Sequence, residues 1–153
     1  VPSVFIEVVN DSGLGLGLDY VPVAEIGRNS KSKTDKLTAG TTTGTSKASA
    51  ELASHITLYA ISEFDNGFYT KLGVSFADVD TTETLHTGST YGNASVTGMM
   101  VAVGMTRDQG NYFVRGDLSY TDYTDVRLKS DGSNIVDADV DSTAFTVSIG
   151  KAF

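Results

Sequence analysis

Residues 143–153 read TAFTVSIGKAF. From Phe145 to Phe153 every second residue is apolar apart from Lys151, and Thr146, Ser148, Gly150 and Ala152 lie between them. Period-two alternation of this kind is the signature of a β-strand with one apolar face. The other face is unusual, because it carries small residues where a water-facing strand would carry long charged ones. Whether the apolar face turns in toward a core or out toward lipid decides the fold.

The same period runs through most of the chain, carried by Val, Ile, Thr, Tyr and Phe, and helical periodicity is nearly absent. Strands are expected at about 3–9, 14–25, 48–64, 68–80, 94–107, 111–128 and 135–153. Their connections alternate between two kinds. NDSG (10–13), FDNG (64–67) and RDQG (107–110) are tight turns with glycine where a positive φ is needed; the first two fit three-residue loops ending on Gly13 and Gly67. The others are long, at about 27–47, 81–93 and 129–134. In an up-and-down meander this puts short turns at one end and long loops at the other, as in an outer-membrane barrel.

Spacing favours the outward reading. Phe68 and Phe76, Tyr112 and Tyr120, and Phe145 and Phe153 are each eight residues apart on one strand face. Eight residues at ~3.3 Å rise and ~40° tilt climb roughly 20 Å, close to the ~25 Å apolar band between the aromatic girdles of membrane barrels. The opposite face holds Gly15, Gly17, Gly73, Ser75, Ala77, Gly98, Ala102, Gly104 and Ser119, the larger Tyr69, Met100 and Phe113, and the charged Glu7, Asp19, Lys71, Arg115 and Asp117. Small residues with a few opposite charges suit a narrow, side-chain-filled lumen. The five charged groups could form a closed internal ion network, and if lumenal each must be paired, since an unpaired buried charge costs several kcal/mol.

SIGKAF (148–153), GLGLDYVPV (15–23) and NYFVRGDLSYTDY (111–123) resemble the small eight-stranded bacterial outer-membrane β-barrel proteins, porin-like and similar in style to the outer-membrane protein A barrel domain. The resemblance implies an outer-membrane location in a Gram-negative cell envelope and surface-exposed loops. It also implies that Phe153 is the C-terminal aromatic read by the barrel assembly machinery; Lys151 departs from the family's usual apolar residue there. The expected fold is an all-β, antiparallel, up-and-down transmembrane β-barrel forming a single domain over residues 1–153. Eight strands are expected, seven in this sequence and one preceding Val1, because an even count lets the first and last strands pair.

Other function classes find less support. The net charge of −8 disfavours nucleic-acid binding, and the absence of cysteine excludes disulfides and thiolate metal sites. No apolar run approaches the ~20 residues of a membrane helix. His55 lies within a strand and His86 beside Ser89 in a loop, neither with an obvious fixed partner, and a barrel enzyme needs a His, Ser and acid constellation, so no catalytic activity is expected. GLGLG (13–17) precedes no helix and is not a dinucleotide loop. Asp137, Asp139 and Asp141 share the outward parity of Phe145, and Asp122 is expected opposite Asp141. Like charges so opposed repel, which suggests a weak Ca²⁺ or Mg²⁺ site at Asp122, Asp139 and Asp141, bridging to lipopolysaccharide phosphates. The basic loop with Arg28, Lys31, Lys33, Lys36 and Lys47 is the expected contact for a surface ligand or partner protein. A structural or surface-interaction barrel is thus the leading expectation, with a narrow porin-like channel and a soluble lipocalin-like binder as alternatives.

Overall fold

The computed structural model of the chain describes residues 1–22, 24–37, 40–84, 93–129 and 135–151. They form an all-β antiparallel sheet: β1 (Val4–Val9), β2 (Leu14–Val21), β3 (Ala24–Leu37), β4 (Gly40–Glu63), β5 (Phe68–Thr84), β6 (Ala94–Asp108), β7 (Phe113–Lys129) and β8 (Ile135–Gly150). The pairing path is β1-β2-β4-β5-β6-β7-β8, with β3 beside β4. β2 pairs with residues 55–62 of β4 and β3 with residues 40–52, so β2 and β3 are successive parts of one ribbon and the sheet is seven ribbons wide.

The tight turns form as the sequence requires. Gly13, Gly67 and Gly110 have φ of 79°, 83° and 79°, a region that costs glycine nothing. The Gly13 amide donates to the Asn10 carbonyl (2.9 Å), and the Asn10 side chain accepts from the amides of Ser12 and Leu14. Each of the first two turns is also tied to the next strand, through Glu63 N to Gly13 O and Thr106 N to Gly67 O, both 2.7 Å.

Three expectations are corrected. Residues 27–47, read as a long loop, are mostly paired strand: β3 and β4 run in register from Arg28 opposite Ser49 to Leu37 opposite Gly40. Their Ser, Thr, Lys and Gly content lacks apolar alternation, yet a ladder needs only backbone donors and acceptors, and threonine favours strands. The strand expected at 14–25 is broken after Val21 at Pro22, which has no amide to give. The loops expected at 81–93 and 129–134 are shorter, since β5 reaches Thr84 and β7 reaches Lys129; His86, Ser89 and the rest of 85–92 and 130–134 lie outside the described residues.

The barrel is open. Among the described residues β1 pairs only with β2 and β8 only with β7. The sheet nevertheless curls until its two ends meet through their inner side chains: the Phe5 and Phe113 rings lie 6.2 Å apart, and Arg115 on β7 bonds Glu7 on β1. Three register shifts, between Glu25 and Gly27, Leu52 and Ser54, and Tyr123 and Val126, all lie toward the long-connection end, where bulges bend a rim.

The concave face is the core. Tyr59, Ile61, Tyr69, Met100 and Ala102 are buried there beside Thr57, Ser75, Arg115, Asp117 and Thr121. The convex face exposes Ile6, Leu16, Leu58, Leu72, Val101 and Leu118, along with their neighbours of the same parity. Lumen glycines make room for the aromatic rings. A Cβ at Gly17 would collide with the Tyr59 ring, at Gly104 with Tyr69, at Gly98 with Tyr123 and at Gly150 with Phe113.

Candidate functional site: the charged interior

Strand alternation turns Glu7, Asp19, His55, Tyr59, Glu63, Tyr69, Lys71, Arg115 and Asp117 onto the concave face, and curling brings strands distant in sequence together there. Arg115 is the hub. Its Nη1 donates to Glu7 Oε1 at 2.8 Å, its Nη2 to Glu63 Oε1, and its Nε to Thr106 Oγ1 at 2.9 Å. The guanidinium also lies over the Phe113 and Tyr69 rings, 4.6 and 5.1 Å from their centroids. A planar fork with several donors can hold two carboxylates and a hydroxyl at once, which an ammonium does less well.

A second cluster adjoins it. Tyr69 Oη donates to Asp117 Oδ2 at 2.7 Å, and Lys71 Nζ reaches the same oxygen at 3.4 Å. Lys71 sits over the Tyr59 and Tyr69 rings at 4.7 and 5.1 Å. Tyr59 Oη donates to Glu7 Oε2 at 2.9 Å, so Glu7 uses both oxygens and links the clusters. Thr57 and Ser75 hydroxyls bond each other at 2.8 Å further along the interior.

Of the five expected lumen charges, Glu7 and Arg115 join directly, as do Lys71 and Asp117. Asp19 stands apart, accepting a 3.1 Å bond from Ser3. Glu63 was missed, although its parity with Tyr59 and Ile61 marks it as inward. Parity puts Tyr69 on the inward face without naming its partner, and Tyr59 was missed, because the sequence does not announce which hydroxyl meets which carboxylate. His55, expected to lack a fixed partner, has one: its Nε2 lies 3.0 Å from Tyr123 Oη.

On the convex face, the expected girdle residues Phe68, Phe76, Tyr112, Tyr120 and Phe145 are exposed, while Phe153 lies outside the described residues. The register sets Asp122 opposite Asp141. Asp139 is exposed on the same strand, and Asp137 pairs by register with Arg127. No three acidic or histidine side chains among the described residues come together as a metal-holding group. Nearby, Asp78 accepts from Ser95 Oγ (2.6 Å) and Ser54 Oγ (3.0 Å), and these bonds, Ser95 first, hold its carboxyl below the usual carboxylate value. Compared with family models, curated proteins and solved structures, the chain matches none.

Proposed function

We propose that the chain is a membrane-embedded β-barrel of a bacterial outer membrane, with a side-chain-filled lumen and a structural or surface-interaction role. One observation carries the reading: large apolar side chains cover the convex face while Arg115, Asp117 and Glu7 are buried on the concave one. Water would penalise that arrangement, and lipid rewards it. Strands of 15–17 residues in β5, β6 and β7 exceed the ~9–11 needed to cross. The girdle aromatics then stand at the lipid interfaces, and a closed barrel of this kind has an even strand count. The basic β3–β4 ribbon, at the end away from the tight turns, is then the contact region for lipopolysaccharide or a partner.

Vesicle flotation tests this reading. The protein is expected to float with phospholipid vesicles after an alkaline wash and to migrate differently on gels before and after boiling. A protein that stays soluble and monomeric without detergent sinks the proposal and favours a soluble binder. A second reading, a narrow channel, draws on the interior charge balance among the described residues: four carboxylates (Glu7, Asp19, Glu63, Asp117) face two cations (Lys71, Arg115). Any water path there would prefer cations. Planar-bilayer recording separates the two, since discrete cation-selective steps support the channel and silent insertion supports the filled barrel.

A further inference from the structure

Glycine inside a strand weakens it, so its place there needs a reason. In β2, β5, β6 and β8 the reason is internal, since a Cβ on any of their glycines would collide with a side chain or a neighbouring strand. Gly116 in β7 has no such reason. It lies on the convex face, and a Cβ there would meet nothing nearer than the Phe145 ring at 3.8 Å, an ordinary contact. The missing side chain leaves space on the outside. Met105 and Val147 flank that space across the sheet, Val114 and Leu118 along the strand, and together they line a groove of ≈ 620 Å³.

A cation stands at one end of the groove. Arg107 pairs by register with Val114, one step from Gly116 toward the tight turns, and shares the outward parity of Met105. It lines the groove and is exposed, and among the described residues its side chain has no hydrogen bond or ion pair. Lys151 follows on the same face, two residues beyond Ile149. The acids of the adjacent turns, Asp65 and Asp108, line the cavity beside Glu7, Phe113 and Arg115 instead. Along β5–β8 the convex face is therefore basic toward the tight turns and acidic toward the long connections, where Asp78, Asp122 and Asp141 share its parity.

We infer that this groove binds an anionic phospholipid, with the phosphate on Arg107 and one acyl chain in the space left by Gly116. The inference rests on the membrane-barrel reading and adds a ligand to it. Short turns mark the periplasmic side of such barrels, where the leaflet is phospholipid. A guanidinium can hold a phosphate through two parallel hydrogen bonds, and its aliphatic stem covers apolar surface while the charge reaches the headgroups. Charge also argues against a second copy of the chain in the groove. Two barrels in one bilayer share an orientation, so a two-fold contact at this patch would set one Arg107 against the other.

Native mass spectrometry of the protein purified in detergent tests the site, with phosphatidylglycerol and phosphatidylcholine of matched acyl chains as probes. One phosphatidylglycerol is expected to stay bound, in about tenfold preference to phosphatidylcholine, whose ammonium would sit beside the guanidinium. Arg107→Gln should remove the preference. Gly116→Leu, which fills the space, should remove retention of both lipids, and Gly116→Ala should weaken it less. Soluble glycerol phosphate, which has no acyl chain, should not compete at equal concentration. Both positions face outward, so the variants are expected to keep the parent's far-UV circular dichroism and boiling-dependent gel mobility.

Undiminished retention by Gly116→Leu, equal retention of the two lipids by the parent, or a preference that survives Arg107→Gln overturns the inference. So does competition by glycerol phosphate, or a dimer that forms in the parent and is lost in Gly116→Leu. Flotation of the same proteins separates the two proposals: entry into vesicles without a retained lipid refutes the groove alone, and lipid retained by a protein that does not enter vesicles refutes the membrane reading alone.

Discussion

Replacing Arg115 with methionine keeps most of the side-chain volume and removes the charge at the centre of the interior. Two carboxylates then lose their partner. The Glu7 side chain is 8 % exposed and stays buried with a hydrogen bond only from Tyr59, whereas Glu63 at 32 % can recover some hydration. Breaking one buried pair by removing a partner costs about 3–5 kcal/mol. The Glu63 arm adds less, about 0–1 kcal/mol at that exposure. A total near 4 kcal/mol corresponds to about three orders of magnitude in the unfolding equilibrium constant, at 1.36 kcal/mol per decade. Urea unfolding in detergent, followed by far-UV circular dichroism because the chain has no tryptophan, measures the loss. Adding Glu7→Gln to Arg115→Met should recover much of it, since the buried charge is gone and the amide can still accept from Tyr59. A single variant within about 1 kcal/mol of the parent, well short of the penalty for a stranded buried charge, would refute the pairing argument. So would a double variant no more stable than the single one.

Gly17→Ala should destabilise by about 1–3 kcal/mol, because its Cβ meets the Tyr59 ring, and Tyr59→Leu in the same chain should relieve part of the loss in the same urea assay. Asp122→Asn should stabilise by about 0.2–1 kcal/mol by removing the repulsion from Asp141, and the gain should shrink in 1 M salt. Asp78, whose folded pKa lies below its unfolded value, should support the rim above pH ~4 and lose that contribution as pH falls through the lower folded value. Ser95→Ala should flatten that acid response in a pH-dependent unfolding series.

Alternation and glycine placement were legible in the sequence because each is local. NDSG, FDNG and RDQG name their own turns, and the parity of Phe68, Leu72 and Phe76 needs no knowledge of the partner strand. The β3–β4 ribbon was not legible: with no apolar face, its pairing leaves no hydropathy signal, and its threonines looked like loop. The interior charges fell between these cases. Parity identified Glu7, Lys71, Arg115 and Asp117 as sharing a face, but Glu7 and Arg115 are 108 residues apart, and only the accumulated register of five pairings decides whether they touch. Closure was argued from strand count alone, and the open β1–β8 gap required the fold itself.

The glycine sockets have a consequence for how the strands find their alignment. A slide of two residues preserves inside and outside, so the apolar belt is blind to it, although a slide of one is not. Tight turns forbid such a slide between β1 and β2, β4 and β5, and β6 and β7. Three of the four ring-in-glycine contacts fall at the remaining junctions: Tyr59 on Gly17 between β2 and β4, Tyr69 on Gly104 between β5 and β6, and Phe113 on Gly150 between β7 and β8. Slid by two places, Tyr69 would press on Ala102 or Thr106 instead. The aromatic rings thus act as a vernier, setting register by shape where chain connectivity leaves it free.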